Sequence, residues 1–149
     1  MKWIDIPPVW LIAALGAAYW LGLVQPWGLS LVHPLAQFIA AVLIGAGLIL
    51  MVLAVMEMRR QKTTVIPHLD ANNLVQTGIF KRTRNPIYLG DALLLAGFIL
   101  RWDAPVALPL VPVLLWVFEK RFIIPEEDRL RRKFRQEFHR YTQQTRRWI

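Results

Sequence analysis

The chain has no cysteine, which excludes disulfides, thiolate nucleophiles and cysteine metal sites. Histidine is scarce: His33, His68 and His139 stand far apart, so no histidine-based metal site is expected. The most informative absence is charge. From Ile6 to Met56 there is no Asp, Glu, Lys or Arg. That run is too long for one membrane crossing, which needs roughly 20 apolar residues. Its middle, "QPWGLSLVHP", carries prolines and a glycine, which punctuate helices. The run therefore reads as a helical hairpin rather than a soluble core. No A-x-A-like cleavage site is obvious and a second apolar segment follows closely, so a removable signal peptide is not expected.

What is present agrees with a membrane. Of 149 residues, 56% are hydrophobic, and the mean hydropathy is +0.38. Four apolar segments emerge, about Pro8–Val24, Pro34–Met56, Pro86–Leu100 and Ala104–Ile124. The expected fold is an all-α integral membrane protein, with about four transmembrane helices plus a C-terminal amphipathic helix. Small residues recur at four-residue spacing, Ala13 with Ala17, Ala14 with Ala18 and Ala92 with Ala96, which suits close helix approach.

The net charge of +8 is unevenly placed. Arg59, Arg60, Lys62, Lys81, Arg82 and Arg84 lie between the second and third segments, and ten more cations lie between Lys120 and Arg147. The other two connections carry only Arg101. The positive-inside bias puts the long loop, the tail and both termini in the cytoplasm, in a prokaryotic inner membrane. The cations then face anionic lipid rather than nucleic acid. Segments 57–90 and 119–149, the most polar parts of the chain, share one side of the membrane.

Two stretches stand out there. In "KRTRNPIYLGDALLLAGFIL", Lys81 to Leu100, cations precede a proline and an apolar run. Asp91 is set near the start of that run. An ionised acid at a span centre costs roughly 2.5–3.5 kcal/mol and less near the end, and such residues are usually functional. Asp91 either lines a pocket or bonds to the tail helix. In "PEEDRL", Glu126 and Glu127 follow a proline. Taken alone, this is an ordinary helix start with acids beside the positive end of the helix dipole. Downstream, Leu130, Phe134, Phe138 and Tyr141 step by 4, 4 and 3, the spacing of one helical stripe. That stripe suits a helix at the interface or one packed on the loop.

Together the stretches resemble the signature of integral membrane methyltransferases of the isoprenylcysteine carboxyl methyltransferase and phospholipid methyltransferase type. The first half is Leu74-Val75-Gln76-Thr77-Gly78-Ile79-Phe80, then Arg84-Asn85-Pro86-Ile87-Tyr88-Leu89-Gly90. The second is Glu126-Glu127-Asp128-Arg129-Leu130, then Phe134, Phe138 and Tyr141. The resemblance covers roughly residues 62–149. Asn85 stands where many relatives have His, and Phe80 where many have Tyr; Asn does not titrate near neutral pH and Phe has no hydroxyl.

The resemblance implies methyl transfer from S-adenosylmethionine, with S-adenosylhomocysteine as product, to a lipidic or prenylated acceptor bearing a carboxylate or an amine. It implies cofactor contacts from Asn72, Asn73, Leu74, Val75, Gly78, Phe80, Asn85, Pro86, Ile87, Tyr88, Leu89, Gly90, Glu126 and Glu127. The catalytic residues it implies are Arg84, Asn85, Tyr88 and Glu126. Arg121, one residue off the expected spacing, and Asp91 are substrate-side candidates. The organisation that follows is one membrane domain over residues 1–149, with an N-terminal hairpin at 1–57 and a catalytic half at 58–149. No metal is implied, and oligomeric state is left open. Two other readings remain at this point. One is a nicotinamide-dependent reductase of a sterol-like lipid, since such enzymes share an R-x-P-x-Y element. The other is a non-catalytic membrane protein that binds anionic lipid through its basic tail.

Overall fold

A computed structural model describes residues 5–25, 28, 30, 32–63 and 74–148. Among these residues the chain is helical, with no strand. Helix α1 spans Pro7–Val24, α2 Pro34–Arg60, α3 Pro86–Arg101, α4 Leu110–Phe118, α5 Ile124–Phe134 and α6 Gln136–Gln144. A proline opens each of α1, α2 and α3. There its fixed φ suits the first turn and its missing N–H costs no helical bond. His33 caps α2, its Nδ1 accepting from the Leu35 N–H at 3.0 Å.

Of the four expected spans, α1 and α2 are long and apolar enough to cross a membrane. Only 11% and 17% of their apolar windows are buried inside the molecule, so neither is the core helix of a soluble domain. Ile12, Trp20, Leu23, Phe38, Ile49 and Met56 project outward, an apolar surface of the kind that meets lipid or a partner. The third and fourth segments form shorter helices, 16 residues in α3 and 9 in α4.

The helix α3 holds the bundle together. It packs most extensively on α2, while α1 packs on α3, on α4 and on the short 3-10 turn Pro105–Ala107. The seam between α2 and α3 is built from small residues seven apart. Ala40 and Gly47 are buried on α2, and Gly90 and Gly97 on α3. A Cβ at Gly47 would lie 2.7 Å from the Gly90 carbonyl oxygen, and one at Gly90 would lie 2.7 Å from Met51 Cγ. A Cβ at Gly97 would meet Ile44 Cγ1 at 2.6 Å. The backbones therefore touch, as small-residue interfaces in membrane helices allow.

The single amphipathic tail helix is corrected by the structure. The chain breaks at Arg135, whose φ of 49° and ψ of −115° end α5 and start α6. The apolar stripe nevertheless stays together. Phe138 and Tyr141 are buried with Ala54, Val75 and Phe80, and Leu130 and Phe134 pack against that cluster. The stripe thus packs on the loop and on the end of α2.

Between α4 and α5 the helix widens into a π-turn at Glu119–Ile123. Pro125 supplies the reason. It has no N–H for the carbonyl of Arg121, four residues back, and its ring crowds that carbonyl. A wider turn carries the helix through, as π-bulges do.

The seam yields a paired test. Gly47→Ala should lower thermal stability in detergent by about 1–3 kcal/mol through overpacking. Gly45, two residues away on the same helix, has nothing within 4 Å of an added Cβ. Gly45→Ala should be neutral or stabilising by about 0.4–1 kcal/mol. Equal melting temperatures for the two variants would show that the close approach is not as described.

Candidate active site

The site lies where the start of α3 meets the start of α5 and the segment after α6. Glu127, 8% exposed, accepts from two arginines. Arg84 Nη1 donates to its Oε1 at 3.1 Å. Arg147 donates Nε to the same oxygen at 3.0 Å and Nη2 to Oε2 at 2.8 Å. The latter is the parallel two-bond geometry that a guanidinium offers a carboxylate. The third arm of Arg147, Nη1, reaches Glu119 in the π-turn. Two cations and two carboxylates thus balance. Burial pulls the Arg84 guanidinium below its ordinary value, with Glu127 opposing that shift. Hydrogen bonding to Glu127 lifts Arg147 above its ordinary value. Both remain charged at physiological pH, because arginine starts so high.

The two halves of the signature, far apart in sequence, therefore meet twice. Arg84 meets Glu127, and the Tyr88 hydroxyl hydrogen-bonds to Glu126. The adjacent glutamates are divided between these tasks. Tyr88 is itself buried, with Phe118 at 5.2 Å and Phe122 at 6.4 Å between ring centroids.

Asn85 is the N-cap residue of α3, yet its side chain makes no cap. The amide Nδ2 donates instead to the Arg147 carbonyl at 3.0 Å, and Thr83 Oγ1 accepts from the Asn85 N–H at 3.2 Å. Asn85 thus works here as a hydrogen-bond donor. Pro86 is buried beside it as the first residue of the helix.

The approach segment is fixed to the end of α2. Thr77 Oγ1 donates to Glu57 Oε1, and Gln61 Nε2 donates to Thr77 Oγ1 at 3.3 Å. Gly78 follows with φ +60°, and a Cβ there would come within 2.8 Å of Glu57 Oε2. Both conformation and space call for glycine. Val75 and Phe80 are buried in the small core, which Leu74 and Ile87 flank. Tyr141, the last residue of the stripe, donates its hydroxyl to the Phe80 carbonyl at 2.7 Å. Burial pushes that phenol well above its ordinary value.

Other expected site residues fall elsewhere. Gly90 is on the α2 side of α3, against Gly47 and Met51, with Leu89 next to it in the same helix. Asp91 is 3% exposed in α3. Among the described residues, no hydrogen bond ties it to the tail helices. Arg121 is turned to the start of the chain. Its Nε and Nη2 donate to Asp5 Oδ1 and Oδ2 at 3.1 and 2.7 Å, and its guanidinium lies 5.3 Å from the Trp10 ring centroid. It takes no part in the Arg84–Glu127 group. Asn72 and Asn73 lie outside the described residues. Glu57, Thr83, Glu119 and Arg147 are residues that reading the sequence missed.

The profile of the phospholipid methyltransferase family matches residues 35–137. The chain belongs to this family, which places it among methyltransferases. The match takes in α2 as well as the motifs as far as Phe134, where the sequence alone suggested only compatible hydrophobicity before residue 62. No curated protein and no solved structure matches the chain.

Glu127→Gln should destabilise the protein by about 3 kcal/mol, because it leaves Arg84 and Arg147 without a charged partner in a largely buried place. Thermal unfolding in detergent reads this directly. A melting temperature equal to that of wild type would mean the carboxylate does not hold the two arginines.

Proposed function

We propose that the chain transfers the methyl group of S-adenosylmethionine to a lipidic acceptor at the cytoplasmic face of the membrane. The observation that carries this reading is the pairing of the two signature halves, Arg84 with Glu127 and Tyr88 with Glu126, across α3 and α4. A basic helix start or a lipid-binding tail would need neither pair.

The residues present fit the cofactor. Arg84 Nε is a buried donor without a partner, available to an anionic group such as a carboxylate. Glu126 offers a carboxylate suited to an ammonium or to ribose hydroxyls. Asn85 and the backbone around Pro86 and Ile87 complete the polar side, and Leu74 supplies apolar surface for adenine. Bound there, S-adenosylmethionine would supply an electrophilic methyl on its sulfonium and leave as S-adenosylhomocysteine. The protein's own contribution is alignment and exclusion of water, which can supply several kcal/mol when the reacting atoms are held close.

The acceptor is a lipid, prenylated or a phospholipid, with a carboxylate or amine at its polar end. A carboxylate is already a nucleophile at neutral pH. An amine must first lose a proton, for which Glu126, hydrogen-bonded to Tyr88 of the motif, is a candidate base. The positive-inside distribution of cations supports a cytoplasmic site, where a polar cofactor from the cytosol and an apolar acceptor from the bilayer meet. Arg121 and Asp91 keep their place as substrate-side candidates. Arg121 does so from the π-turn, Asp91 from one turn beyond Tyr88.

Addition of S-adenosylhomocysteine to the detergent-solubilised protein should raise its melting temperature, while NADPH should leave it unchanged. Glu126→Gln and Tyr88→Phe should each weaken S-adenosylhomocysteine binding by about tenfold, the worth of one charge-assisted hydrogen bond, with expression retained. Lipids from cells making the protein should contain a species heavier by one methyl. Stabilisation by NADPH alone would move the assignment to the reductase reading. No response to either ligand would leave the basic, lipid-binding reading.

A further inference from the structure

The segment after α6 lies beyond residue 137, where the family match ends, yet it touches the motif at every step. At Thr145 the chain turns from helix to extended backbone. It then runs beside residues 81–85. Thr145 Oγ1 donates to the Lys81 carbonyl at 3.3 Å, and the Arg84 N–H donates to the Arg146 carbonyl at 3.1 Å. The Arg147 carbonyl accepts from Thr83 Oγ1 at 3.2 Å and Asn85 Nδ2 at 3.0 Å. Trp148 packs against the cluster that contains Phe118 and Phe122. The side chain of Arg147 meanwhile grips both oxygens of Glu127 and reaches Glu119.

We propose that Arg147 is a positioning residue for the methyl-transfer site: its carbonyl orients Asn85, and its guanidinium fixes Glu127, so that Arg84 and the neighbouring Glu126 are held ready for the cofactor. The inference rests on the function proposed above. Without Arg147, Glu127 would face Arg84 alone and Glu119 would lose this partner. The start of α5, which carries Glu126, would lose its clamp to the start of α3. Arginine is required because a lysine is a point charge and cannot span both carboxylate oxygens and Glu119 at once. Arg147 acts through the groups it holds, and Arg84 keeps its free Nε for the ligand.

The test is S-adenosylhomocysteine binding by calorimetry on the full chain in detergent. The forms compared are wild type, Arg147→Lys and the charge-compensated double variant Arg147→Ala/Glu119→Gln. Gly22→Val serves as a stability control. It crowds α1 against Trp102 and Ala104, away from the motif. Both Arg147 variants should bind at least about tenfold more weakly than wild type, the scale on which small misplacements act. Gly22→Val should lower the melting temperature and keep wild-type affinity. Guanidinium ion at millimolar concentration should restore part of the affinity to the double variant and none to Gly22→Val. If the double variant does not fold, Arg147→Lys decides alone. Wild-type affinity in Arg147→Lys, or an equal loss of affinity in Gly22→Val, overturns the positioning role. A wild-type protein that binds no S-adenosylhomocysteine overturns the proposed function instead, so the two failures are distinguishable.

Discussion

The carboxylate of Glu127, shared between Arg84 and Arg147, is the contact on which the arrangement of the site depends. It is largely buried, and a buried charge is tolerated only when it is paired and hydrogen-bonded. Pairing here requires three separate stretches of chain to converge: the entry to α3, the entry to α5, and the segment after α6. Each has a local reason for its position. Pro86 opens α3 so that Arg84 stands just before the helix. Pro125 widens the preceding turn, and that turn carries Glu119 to the third arm of Arg147. The break at Arg135 lets α6 return its apolar side to the core that holds Phe80.

The rest of the fold delivers these entries to one place. Glu57 and Gln61 at the end of α2 hold Thr77 and Gly78, which sets where the loop returns. Tyr141 fastens α6 to the Phe80 carbonyl. A polar scaffold of this kind is costly to leave half made, because each unpartnered buried group loses its hydration without compensation. The site is consequently assembled as a unit with the tail. The family relationship fits that organisation: the match begins in α2 and ends in α6, and so takes in the helix on which the loop is anchored.

The motifs were legible in the sequence because their chemistry departs from its surroundings. Arg84-Asn85-Pro86-Ile87-Tyr88 interrupts a membrane pattern, and Glu126-Glu127 is an acidic pair in a basic tail. Counting cations led to the expectation that they lie together, and the structure joins them through Arg84 and Glu127. Other parts were hidden for definite reasons. Arg147 is one of ten cations after residue 119, and nothing local separates a clamp from a lipid-facing charge. The seam of α2 and α3 repeats every seven residues, Ala40 with Gly47 and Gly90 with Gly97, whereas four-residue spacing pointed to alanines elsewhere. The break at Arg135 falls in "KFRQEF", which has neither glycine nor proline to announce it. There the packing of Phe138 and Tyr141 overrides local preference. Asp91, expected either to line a pocket or to bond to the tail helix, is buried in α3, with no hydrogen bond to the tail helices among the described residues.

The contact of Gly47 with Gly90 has a mechanical consequence. Two helices whose backbones touch cannot slide past one another, since a one-residue shift would press Leu89 or Asp91 into the space that only hydrogen fills. The height of Arg84 relative to Glu57 is therefore set by the protein and not by the lipid around it. A thicker or thinner bilayer would tilt α2 and α3 as a single rod and leave the spacing between the end of α2 and the start of α3 unchanged.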